Sequence, residues 1–173
     1  MVSLYYSFTI PVFINTLTAL KGVLKKGEVF AKESGKSDED MLQLRLAADM
    51  FPLVKQVQVA CDNAKGAAAR LSGKVAPKME DNEKTFAELH ARIDKTVDYL
   101  KTFTAAEFTA AADVTIKLPY FPEDMHFTGD GYTRMYALPN FFFHVVTAYD
   151  ILRANGVQIG KADIAGALPL IKD

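Results

Sequence analysis

The chain has no tryptophan and a single cysteine, Cys61. A lone cysteine excludes an internal disulfide and any cysteine-based zinc cluster. It also makes a reducing, cytoplasmic setting the expectation. A positive excess is missing: 20 Lys and Arg stand against 21 Asp and Glu, a formal net charge of -1. The two signs are mixed throughout, with no basic stripe, so no nucleic-acid partner is expected. Histidine is scarce, and His90, His126 and His144 are the whole supply. Charge is absent from the start of the chain, where no formally charged side chain precedes Lys21. That gap could signal a leader or a membrane span. Against this stand Ser3, Ser7, Thr9, Asn15, Thr16 and Thr18, and the lack of a basic start. Tyr6, Ile10, Phe13, Leu17, Leu20 and Leu24 recur at helical spacing, which fits a core-facing helix and no membrane partner.

What is present is a globular composition: 173 residues, half of them hydrophobic and 24% charged. That suits one domain, residues 1–173, around a single core. Four long helical patterns stand out. The first runs from about Leu4 to Lys32 and stops at Ser34-Gly35. Ser37 and Asp40 read as a capping box opening a short helix over Glu39 to Ala47. Asp49 is the expected N-cap of the second long helix, with Pro52 in its first turn and Leu71 near its end. Met50, Val54, Val57, Cys61, Ala64, Ala68 and Leu71 make its apolar stripe.

The stretch GKVAPKMEDN reads as a loop. The third long helix is expected from Asn82 to Phe103, with Arg92 on its solvated side. VTIKL and MHFTG are β-prone and short, a hairpin or extended excursion before the last helix. The last helix is expected from Tyr132 to Ala154, followed by an irregular tail. The fold class that follows is all-α, a four-helix bundle with that excursion inserted before its final helix.

The last helix contains LPNFFFHVVTAYDILRANG and is apolar nearly all round. Such a helix is buried on several sides, so it is either central or meets another subunit. His144 and Asn140 lie one turn apart on one side of it. A buried imidazole with a hydrogen-bond partner on a neighbouring helix is the plainer reading. A small-molecule pocket, mostly apolar with a few placed polar groups, is the sharper one. Gln56 or Gln58 on the second long helix is positioned to face His144, and Tyr149 is a further hydrogen-bonding candidate. Asn140 is a poor ligand for zinc or nickel, so no metal and no cofactor are expected. Cys61 falls on a core stripe with no neighbouring cation and reads as inert.

The strings DMFPLVKQVQVACDNAKGAAARLSG, ALPNFFFHVVTAYDILRANG and GKADIAG resemble a family known as domain of unknown function nineteen-ninety-three. SFTIPVF and TFAELHARI extend the likeness over nearly the whole chain. That family in turn resembles the DinB/YfiT-like superfamily of metalloenzymes. The resemblance implies an up-down-down-up bundle with a long crossover, often dimeric, so a homodimer is expected. It also implies a divalent metal held by three histidines, one from the second helix and two from the last, and in some members thiol transfer. On this sequence His144 falls on the second of the last-helix histidines, and Asn140 falls on the first. No histidine stands near Gln56 to Ala60, so two of the three ligand positions depart from the pattern.

Overall fold

A computed structural model of the chain describes residues 3–171. Its long helices are α1 (Leu4–Glu33), α3 (Leu53–Ser72), α4 (Phe86–Lys101) and α6 (Leu138–Ala154). Shorter pieces join them: α2 (Asp38–Leu42), β1 (Thr115–Ile116), β2 (Phe127–Thr128), α5 (Gly129–Tyr132) and α7 (Lys161–Ala165). The expected all-α bundle is what forms, and the expected hairpin is real. β1 and β2 pair antiparallel, Thr115 with Thr128 and Ile116 with Phe127.

Side-chain pairs fix the helix directions. Lys21 meets Asp94 and Glu28 meets His90, so α1 and α4 run antiparallel. Gln56 meets His144 and Asn63 meets Asn140, so α3 and α6 run antiparallel. Phe13 packs on Phe141, and Gly27 lies against Leu152, so α1 and α6 run parallel. The order is therefore up-down-down-up. Parallel α3 and α4 need a connection that returns along the bundle, and residues 73–85 supply it. Gly73 starts the return in the left-handed conformation, φ 73°, which caps α3.

The core is the sum of the four apolar stripes, with Phe13, Leu17, Leu20, Val57, Cys61, Leu89, Ile93, Phe141 and Leu152 among its buried members. By length and composition α1 could cross a membrane, but half of its most apolar stretch is buried inside the bundle. Its long uncharged run is thus accounted for by packing.

Local expectations shift at element ends. α2 is shorter than Glu39 to Ala47, because the chain leaves the helix at Gln43. The Ser37–Asp40 capping box is present. α3 is entered at Pro52 with no side-chain cap, so Asp49 is not its N-cap. Proline's fixed φ starts the helix without one. α4 begins four residues late, at Phe86, because Thr85 and Glu88 form a reciprocal capping box there. The tail is not wholly irregular: α7 forms, and Lys26 and Asn15 of α1 bind Asp163, Ala165 and Ala167. Ahead of α6 the chain takes a π-helical turn, Thr133–Ala137, so α5 and α6 form one nearly continuous helix with an extra residue inserted.

Candidate functional site: a polar seam between α3 and α6

α3 places Gln56, Asn63 and Arg70 at successive intervals of about two helical turns, on one line facing α6. Each has a partner across the contact. Gln56 Oε1 lies 2.7 Å from His144 Nδ1. Asn140 Nδ2 donates to Asn63 Oδ1 at 3.0 Å. Arg70 Nη1 donates to the Tyr132 hydroxyl at 3.1 Å. These rungs form the edge of an otherwise apolar interface.

The His144 rung has a defined polarity. Gln56 Nε2 donates to the carbonyl of Phe51 at 3.1 Å, which turns Oε1 toward the imidazole. An amide oxygen only accepts, so Nδ1 of His144 carries the hydrogen. Nε2 then holds a lone pair. It has no hydrogen-bond partner among the described residues, and it is not one of the polar atoms sealed from solvent. Burial lowers the His144 pKa below the ordinary imidazole value, since charging the ring would cost solvation. The neutral form is favoured. Phe51 lies nearly parallel to the ring, centroids 6.5 Å apart, and Phe143 meets it edge-on at 5.2 Å.

One turn away Asn140 is similarly poised. Its Nδ2 is used on Asn63, whose own Nδ2 donates to the Val59 carbonyl. Asn140 Oδ1 has no hydrogen-bond partner among the described residues and is left as an open acceptor.

The sequence-derived candidates divide. His144 and Gln56 are brought together, and Asn140 lies on the next rung. Tyr149 is not with them. It stands five residues beyond His144, about 140° further round the helix at ~100° per residue, partly buried against the core. Gln58 turns the other way and donates to Glu83 at 2.8 Å. His90 binds Glu28, and His126 lies in the excursion. Asn63 was not foreseen; its place on the same stripe line as Gln56 was the available signal.

Arg92 is the main correction. It is not on a solvated side: its side chain is 2% exposed and meets Asp62, Asp81 and Glu83. A groove of about 700 Å³ runs beside this network, lined by Phe51, Lys55, Gln58, Asp81 and Glu83 among others. Phe51 therefore has this groove on one side and His144 on the other. Cys61 is buried, and its thiol is pushed up to about 11 by desolvation, as expected of an inert core thiol.

These donors do not fit a divalent transition metal. Among the described residues no group of three or more His, Cys, Asp or Glu is placed to hold one. Around His144 the nearest polar neighbours are amides, one of which is already hydrogen-bonded to the ring.

The family described as a domain of unknown function (DUF1993) matches residues 5–165. The chain belongs to that family. It is also similar to a solved structure, the crystal structure of a DinB family member protein from Shewanella denitrificans. The two share 42% identity over 97% of this chain and 95% of that one, with a TM-score of 0.93. The DinB likeness read from the motifs is therefore shown, in sequence and in fold. No curated protein matches.

Proposed function

We propose that this DUF1993 protein binds a small organic molecule without a metal, at the α3–α6 seam beside His144. The observation that carries this is the 2.7 Å pair between His144 Nδ1 and Gln56 Oε1. It fixes the tautomer and aims an unused Nε2 lone pair outward. Asn140 Oδ1, one helical turn away, is a second acceptor without a partner among the described residues. Two acceptors call for a ligand with N–H or O–H donors, and Phe51 and Phe143 offer it apolar faces. A neutral imidazole with a free lone pair can also accept a proton.

The test uses purified protein, metabolite extract and native mass spectrometry with thermal melting. A retained small molecule with a rise in melting temperature is expected, and His144→Ala should abolish both. Shifts that persist unchanged in His144→Ala would remove the reading. Elemental analysis of protein made without a His tag addresses the metal. Stoichiometric zinc, nickel, iron or manganese would overturn the metal-free assignment.

A second reading is a dimeric helical module without catalysis, in which the rungs only fix helix register. Phe142, Phe143 and Val146 on α6 are exposed, and this favours it. Molecular mass in solution checks the dimer.

A further inference from the structure

We propose that Arg70, Tyr132 and Tyr136 form a carboxylate-binding site at the hairpin end of the α3–α6 seam, taking a small organic acid with a flat, apolar body. This site lies two rungs from His144 and does not rest on the reading of that residue.

Arg70 is partly buried, and among the described residues its one hydrogen bond is to the Tyr132 hydroxyl. By contrast, Arg92 and Arg134 both reach carboxylates. A guanidinium carries five N–H donors, so most of those on Arg70 are unused. Tyr132 is 1% exposed, and its oxygen accepts from Arg70, which leaves its own hydrogen to donate. The Tyr120 and Tyr136 hydroxyls lie 2.6 Å apart. Whichever one donates, the other keeps its hydrogen free. The cluster therefore offers a guanidinium and two free hydroxyl hydrogens, and no carboxylate is hydrogen-bonded to it among the described residues. What completes it is an oxygen anion.

The chain makes room for this arrangement. A Cβ at Gly66 would meet Arg70 Nη1 at 2.5 Å, so glycine lets the guanidinium fold back along α3. The guanidinium carbon sits 5.9 Å from the centre of the Tyr132 ring. The π-helical turn then stacks Tyr136 on Tyr132, centroids 5.7 Å apart and planes 23° apart. Phe121 and Phe127 close the far side, each within 6.2 Å of Tyr136. These rings pack on one another, and the exposed faces of Tyr120 and Phe121 are the apolar surface left for a ligand body.

One cation with a planar fork matches a singly charged planar anion. Arg70 is hydrogen-bonded to the Tyr132 hydroxyl, and among the described residues no second cation is hydrogen-bonded to the Tyr120, Tyr132 or Tyr136 hydroxyls. Among the described residues no second guanidinium is hydrogen-bonded to this cluster to neutralise a phosphate dianion. The class is thus a carboxylate.

Benzoate is the probe, read by the side-chain Nε–H resonance of Arg70 in a ¹⁵N-labelled sample and by tyrosine fluorescence, which no tryptophan masks. Benzoate should shift both signals saturably at millimolar concentration. Benzamide should not, and inorganic phosphate should bind more weakly. Arg70→Gln should weaken benzoate about tenfold or more. Gly66→Ala is the second variant, because it keeps the charge and favours the helix while displacing the guanidinium; the same loss is expected, with the circular dichroism spectrum unchanged. His144→Ala should leave benzoate binding intact, which separates this site from the one above. An unmoved Arg70 resonance, an equal response to benzamide or phosphate, or full binding by Gly66→Ala would overturn the proposal.

Discussion

At His144 a single ring nitrogen sets the chemistry. Nδ1 is committed to Gln56, and the ring resists a charge because it is buried. In the unfolded chain the imidazole returns to a pKa of about 6.5. As pH falls through that value the unfolded state takes up a proton that the folded state refuses. The unfolded state then binds more protons, so stability falls with falling pH. This contribution is intact above about pH 7 and lost below it. The melting temperature of the wild type should therefore drop faster than that of His144→Gln between about pH 7 and pH 5. Parallel pH profiles for the two would show that burial of the neutral ring carries no such linkage. His144→Ala should also destabilise by about 1–3 kcal/mol at neutral pH, since Gln56 Oε1 loses its donor. Chemical denaturation measures it.

At the scale of elements, the crossover over residues 73–85 depends on Arg92. Asp81, Glu83 and the Glu80 carbonyl all come from that segment and converge on this one guanidinium. Asp62 and Asp81 are partly solvated and screened, whereas Glu83 is 10% exposed and most in need of its partner. Arg92→Met should cost about 3 kcal/mol, at the low end for a broken buried pair. It should also open residues 73–85 to proteolysis before the bundle unfolds. Cleavage elsewhere at the same rate would count against this. Gly129 is a second such point. A Cβ there would lie 1.7 Å from the Ala111 carbonyl oxygen, so α5 docks only without a side chain. Gly129→Ala should destabilise by at least about 2 kcal/mol, through overpacking against backbone.

Arg92 also shows where reading the sequence stops. The helical stripes were legible, because burial repeats every third or fourth residue. A glutamine partner for His144 was legible, because Gln56 and Gln58 flank an apolar stripe, but which of the two faces the ring was not. Arg92 shares its face with Glu88 and Lys95, so periodicity alone marks it as solvated. Its burial comes from Asp62 on another helix and from a crossover whose path no local pattern records. The π-helical turn is equally silent, since one inserted residue changes no propensity. Tyr149 carries suitable chemistry, but the helix turns it away from His144.

For the whole molecule, assembly turns on α6. No formally charged side chain lies between Arg134 and Asp150, and His144 in that stretch is held neutral. Phe142, Phe143 and Val146 point out of the bundle at 39%, 53% and 45% exposure. Bringing two such faces together removes apolar surface from water without desolvating a formal charge. A net charge of -1 adds almost no repulsion between copies. A two-fold pair is the simplest closed assembly, because one self-complementary patch satisfies both partners. Wild-type protein should therefore run as a homodimer in light scattering at micromolar concentration. Phe143→Glu, placed at the most exposed of the three positions, should give a folded monomer, since the buried carboxylate would face its symmetry mate. Phe143 also touches the His144 ring edge-on, so the same variant reports whether the seam depends on the second copy. A monomeric wild type would leave α6 as an uncovered face and end the dimeric reading.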